Sequence, residues 1–129
     1  MPRILVAALF VFVLSTAAFA QDPGKVDGNH YKVEFENDQV RVLRVKVGAG
    51  EKSIMHQHPD AVAIFLTDVN GKFTFPDGKS EPVTSKAGDT RWTPAITHLP
   101  ENAGDQPFEV ILVELKGKPA AKKAHHRRR

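Results

Sequence analysis

The stretch Gly50-Glu51-Lys52-Ser53-Ile54-Met55-His56-Gln57-His58, closed by Pro59-Asp60, decides how this chain is read. Gly48-Ala49-Gly50 breaks the apolar run before it, and Ser53 to His58 reads as a new strand. Alternate side chains of a strand leave the same face, so His56 and His58 point one way with their backbones roughly 6 to 7 Å apart. From that spacing, two rings angled together can each set a nitrogen about 2 Å from one metal ion. A third histidine, His98, stands downstream behind its own landmarks, Gly88 and Pro94. The three are read as one site on a small β-barrel.

On either side of this stretch, short strand-like runs follow one another without sustained helical periodicity. Tyr31, Val33 and Phe35 alternate with Lys32, Glu34 and Glu36, a half-buried strand that ends at the Asn37-Asp38 turn. From Gln39 to Val47 the apolar phase slips from Val40 and Val42 to Leu43, Val45 and Val47. That slip predicts a bulge near Val42-Leu43, with Arg41, Arg44 and Lys46 facing water. Ala61 to Leu66 is continuously apolar, as in a strand covered on both faces. Pro76-Asp77-Gly78 joins two further runs as a hairpin, and Phe73 and Phe75 share a face expected to pack the core. Thr90 to Thr93 follows the Gly88-Asp89 turn; its Trp92, like Phe65, is expected to line the barrel or its core. In the last run Phe108, Val110, Leu112 and Glu114 alternate with Glu109, Ile111, Val113 and Leu115. His30 has no partner at a useful spacing and reads as a surface residue. The pattern predicts one all-β domain, a jelly-roll β-barrel over residues 21–116.

The two ends of the chain read differently. Arg3, the apolar run Ile4 to Leu14 and the small-x-small site Ala18-Phe19-Ala20 have the layout of a signal peptide over residues 1–20. A periplasmic or secreted protein is expected, the other reading being an uncleaved N-terminal anchor. All fifteen Asp/Glu lie between residues 21 and 115, whereas seven of the eighteen Lys/Arg lie in residues 116–129. The folded body is therefore acidic and carries no basic stripe for nucleic acid. The basic tail, residues 117–129, has too little apolar content to fold and is expected to be disordered. It reads either as a solubilising tail or as a weak tether to an anionic surface. Its His125 and His126 are not counted as a site. The chain has no cysteine, which excludes disulfides and thiolate metal ligands.

From Tyr31 to Lys116 the pattern resembles the cupin superfamily, in its small single-domain form. Gly50, His56 and His58 match the opening of the first cupin motif, G-x5-H-x-H-x3-4-E-x6-G. Gly88, Pro94, His98 and Asn102 occupy the frame of the second, G-x5-P-x-G-x2-H-x3-N. The step from proline to histidine is one residue short, and Ile96 stands where glycine is usual. The resemblance implies one divalent metal held by two histidines and a glutamate from the first motif and a histidine from the second. Here the glutamate positions fall on Val62 and Ala63, so His56, His58 and His98 remain. Cupin oxygenases that cleave thiols or diketones are similar in lacking the carboxylate ligand.

Three neutral imidazoles leave an ion's double charge uncancelled, which favours Zn²⁺, Fe²⁺, Ni²⁺ or Cu²⁺ over harder ions and attracts anionic ligands. Asp60, in phase with His58, is the candidate replacement ligand, although Pro59 favours a turn role for it. Asn102 is read as structural or as a hydrogen-bonding partner behind the ligands, and Glu101 is the carboxylate nearest His98 in sequence. The function expected is an exported mononuclear metal-binding cupin, an enzyme of dioxygenase or isomerase type acting on a small organic anion. The alternative is a non-enzymatic small-molecule-binding module, with or without metal. A homodimer is also expected, joined through edge strands such as Tyr31 to Glu36.

Overall fold

The computed structural model describes residues 21–117. The expected signal peptide, residues 1–20, and the basic tail from Lys118 onward lie outside them. After a short helix α1 (Pro23–Val26) come β1 (Tyr31–Glu36), β2 (Val40–Val47), β3 (His56–His58), β4 (Ala61–Phe65) and β5 (Val69–Thr74). Then follow β6 (Ser80–Ser85), β7 (Thr90–Thr93), β8 (Ile96–Asn102) and β9 (Phe108–Leu115). They form two antiparallel sheets, β1-β2-β9-β4-β7 and β3-β8-β5-β6, the jelly-roll arrangement expected.

The core is built from the inward phase of each strand. Leu43, Val45 and Val47 of β2 meet Phe108 and Val110 of β9, with Ala63, Phe65, Val69 and Tyr31 completing the cluster. The β2–β9 register runs without interruption from Val40↔Leu115 to Val47↔Phe108. The bulge therefore lies not in β2 but in β1, where Val33 pairs with Leu43 and Phe35 with Val42, leaving Glu34 extra. This has two consequences. Phe35 is turned to the outer face of the sheet, 53% exposed. Arg41 shares the inward phase of Leu43 and does not face water as expected; its guanidinium meets Glu114 and Asp22.

The apolar run of β4 is covered on one side only. Ala61, Ala63 and Phe65 are buried, while Val62 and Ile64 are half-buried on the outer face. Trp92, opposite Val62, is 53% exposed and does not pack the core, although it is among the residues bordering the barrel cavity. Along the register, Phe35, Val42, Val113, Val62 and Trp92 make one apolar row across all five strands.

The Pro76-Asp77-Gly78 hairpin forms as expected between β5 and β6, with Gly78 at φ +84°, a backbone that suits glycine. Helix α1 was not legible as periodicity, being four residues long, but its signals are present: Asp22 caps it through the Gly24 N–H and Pro23 opens it. His30 is not an isolated surface residue, since its Nδ1 lies 2.8 Å from Asp27 Oδ2.

Asn102 closes the end of the barrel. Its side chain, 1% exposed, donates to the Val47 and Gln106 carbonyls at 3.0 and 2.7 Å and accepts from the Gly104 N–H at 3.0 Å. Replacing it leaves those backbone groups unpaired in a dry site. Asn102→Ala is expected to lower the unfolding free energy by about 2–3 kcal/mol, read by urea denaturation. A loss under about 0.5 kcal/mol, the range of neutral surface changes, would show that these bonds contribute little.

Candidate metal centre

Strand pairing brings the three histidines together. β3 runs antiparallel to β8 with His56 directly opposite His98 and His58 opposite Ile96. All three side chains enter the barrel, at 0, 4 and 6% exposure for His56, His58 and His98. Their ring centroids lie 4.6 to 5.3 Å apart, each pair edge to face. One ligand nitrogen from each ring falls within 4.8 Å of the others. Nitrogens about 2.1 Å from a shared ion can be at most about 4.2 Å apart, so the rings stand close to gripping distance.

The outer nitrogens of two rings are fixed by acceptors. His58 Nδ1 lies 2.6 Å from Glu114 Oε2, and His56 Nδ1 lies 2.6 Å from the Ile54 carbonyl. A carbonyl or an ionised carboxylate only accepts, so each Nδ1 carries a proton, and in the uncharged ring the lone pair is left on the Nε2 that faces the cluster. Those two Nε2 atoms and both nitrogens of His98 are buried without a hydrogen-bond partner among the described residues. Orphaned buried nitrogens cost roughly 1–3 kcal/mol each. Three of them, one from each ring, are what a single bound ion would relieve, and the donor set fits one.

Behind the rings stands a charged chain. Glu114 also accepts from Arg41 Nε at 2.7 Å, and Arg41 Nη1 donates to Asp22 at 2.6 Å. Burial pushes the Glu114 carboxyl up, but the hydrogen bonds from His58 and Arg41 outweigh it, and the net shift is downward. Burial, followed by repulsion from His58, lowers His56 to about 4. Burial, with His58 and then His56 adding to it, lowers His98 to about 2. At neutral pH both rings are therefore uncharged, the form that ligates metal. The Tyr31 ring lies edge-on to His56, and burial together with the charge of Asp27 holds its phenol protonated.

On the other side His98, alone of the three histidines, lines a cavity of about 450 Å³. His98, Ile96, Phe73, Phe65 and Leu112 are among its walls. Phe73, expected in the core, instead stacks edge-on against His98 with ring centroids 4.3 Å apart.

Among solved structures the chain is similar to a cupin domain protein from Bordetella pertussis Tohama I. Identity is 24% over 67% of this chain and 92% of that one, with a TM-score of 0.63. A cupin 2 conserved barrel domain protein from Salinispora arenicola is similar at 22% identity and TM-score 0.52, over 71% of this chain and 80% of that one. An RmlC-like cupin family protein from Methanocaldococcus jannaschii is similar at 19% and 0.52, over 69% and 83%. The fold is that of a small cupin domain. No sequence-family model matches the chain, and no curated protein is similar to it in sequence.

The cupin motif glutamate has no replacement within the histidine cluster. Val62 points outward and Ala63 is a small inward residue on the cavity wall. Asp60 is not turned to the histidines: its carboxylate accepts from the Ala95 N–H at 2.8 Å, the turn role that Pro59 favours. Glu101 pairs with Lys72 at 3.5 Å, and Asn102 bonds only to backbone. The sequence reading passed over Glu114 and Arg41. Both were visible as charges in the inward phase of otherwise apolar strands, Phe108-Val110-Leu112-Glu114 and Arg41-Leu43-Val45-Val47.

These shifts fix how the protein responds to acid. The unfolded chain protonates its histidines near pH 6.5, whereas folded His56 and His98 resist to about 4 and about 2. Between those values the unfolded state binds more protons, so stability falls as pH drops below about 6.5. Glu114 acts in the same direction, since its lowered carboxyl stabilises the fold above the usual carboxylate range and loses that effect on protonation. With metal removed, the melting temperature is expected to decline steadily from about pH 7 to about pH 4.5. A flat profile would mean that these rings are not held neutral.

Proposed function

We propose that the protein is a mononuclear metal-binding cupin that holds one divalent transition ion, Zn²⁺, Fe²⁺, Ni²⁺ or Cu²⁺, on His56, His58 and His98. The observation that carries this reading is the convergence of unpartnered, buried ring nitrogens, two of them held in the ligating tautomer from behind. A bound ion would supply a Lewis acid with open positions toward the cavity. The chain's own part is to orient the rings, keep them neutral and exclude water from three sides. Glu114 holds the His58 ring and raises the basicity of its inner nitrogen, as carboxylates behind metal-bound histidines do. The small organic anion expected from the sequence would enter from the cavity side, and the compartment proposed remains periplasmic or extracellular.

Within that reading, the choice between a dioxygenase or isomerase and a ligand-binding module turns on the cavity walls. Glu81, at the rim, is the one carboxylate among the lining residues, and Tyr31 keeps its proton. No lining residue near the histidines is placed to take up and return a proton at neutral pH. That favours either chemistry driven by the ion alone or binding without turnover.

The test is metal content of the mature chain purified without a histidine tag. Zinc titration by calorimetry should give about one ion per chain. His98→Ala should abolish it, while His125→Ala/His126→Ala should leave it unchanged. Binding that follows the tail histidines instead would remove the proposal.

We also propose that the expected homodimer forms through the outer face of the five-stranded sheet, with a second copy as its occupant. The large apolar exposures there, Phe35, Trp92 and Leu115, lie on or beside a row crossing strands spaced about 4.8 Å. A two-fold contact would cover both copies of the row at once. Sedimentation should give a dimer that Trp92→Glu converts to monomer; a monomeric wild type would rule it out.

A further inference from the structure

We propose that Arg91 anchors the carboxylate of an apolar monocarboxylic ligand lying in the cavity that His98 lines. The proposal rests on the reading of that cavity as the ligand chamber and names the class of molecule it takes.

Arg91 sits on the edge strand β7 opposite Ala63, in the inward phase it shares with Thr93, exposed at the cavity rim. Its guanidinium lies over the Phe65 ring at 5.4 Å from the centroid. Both of its hydrogen bonds leave from one nitrogen, Nη2, to the Thr84 carbonyl at 3.1 Å and to Ser85 Oγ at 2.9 Å. The ring beneath and the two acceptors behind hold the plane in place, and the donors on Nε and Nη1 stay uncommitted.

Its charge is also uncommitted. Arg41 holds Glu114 and Asp22, and Arg44 holds Glu34 and Glu109. Arg91 is the one arginine among the described residues with no carboxylate in ion-pair range. Glu81, the acid on the same rim, does not reach it. A guanidinium held by two hydrogen bonds and one ring face, and lacking an internal anion, is a ready receptor for an external one, because its planar fork matches a carboxylate.

The remaining walls set the rest of the ligand. Ala63, Phe65, Val69, Phe108, Val110 and Leu112 are apolar, and about 450 Å³ holds a molecule of several carbons beyond its headgroup. One cation, with Glu81 on the same rim repelling further negative charge, selects a monoanion over a dianion. The apolar body would then lie along Phe65 and Leu112 toward His98, where any reacting group would meet the metal site.

Hexanoate, hexanamide and acetate distinguish the terms of this proposal. They are titrated by calorimetry into the full mature chain with metal removed, because an ion would itself draw a carboxylate. Hexanoate is expected to bind at least about tenfold more tightly than hexanamide, as a charged hydrogen-bond pair requires, and more tightly than acetate, which lacks the apolar body. Arg91→Gln should remove the preference for hexanoate while leaving hexanamide binding in place, which shows the chamber intact. Arg91→Lys should retain part of the preference. Equal binding of acid and amide by the wild type, or equal weakening of both by Arg91→Gln, overturns the proposal. Zinc titration of the same samples is read separately. An Arg91-dependent preference in a protein that takes no zinc upholds this inference and removes the metal reading alone.

Discussion

A carboxylate buried between two sheets is the constraint around which the rest is arranged. Glu114, on the last strand of the five-stranded sheet, accepts from His58 on the four-stranded one and from Arg41, directly opposite it on the neighbouring strand β2. At 2% exposure such a charge is tolerable only because both its oxygens are satisfied. Removing one partner of a buried pair commonly costs about 3–5 kcal/mol. The same bond that ties the sheets together turns His58 so that its inner nitrogen faces His56 and His98. Stability and site geometry therefore rest on one set of atoms.

That arrangement explains how the cluster does without the glutamate of the first cupin motif. With Ala63 on the cavity wall, the volume a glutamate would fill is left to the chamber. The negative charge is held one layer further out, behind His58, and partly balanced by Arg41. An ion bound there would feel it through the imidazole and keep a coordination position open.

How much of this could be read from residues alone follows from the range of the interactions involved. His-x-His on one strand face is a local matter of alternation, and the turns at Gly78 and Gly88 are local as well. The meeting of His98 with His56 was legible only through the spacing of both motifs, since it depends on β3 and β8 pairing in one register. The bulge was read from the phase slip of β2, yet it sits across the ladder at Glu34, because a two-against-one mismatch can be accommodated in either strand. Trp92 was misplaced since its side of the sheet is set by its pairing with Val62, which a four-residue run does not reveal. Arg41 and Glu114 were hidden by a habit of reading charges as solvated, although each occupies an apolar phase opposite the other.

The first described residues are bonded into the same structure. The Gln21 carbonyl accepts from the Gln57 N–H at 2.8 Å, between the two histidines of β3, and Asp22 grips Arg41. The centre thus draws on residue 22 near one end of the domain and residue 114 near the other. A nascent polypeptide still emerging from the ribosome lacks the later of these ends. Such a chain has the sequence of the site but not the site. An ion held as proposed could be captured only once both ends of the domain have folded together, so the ions present where folding finishes would set which one is bound.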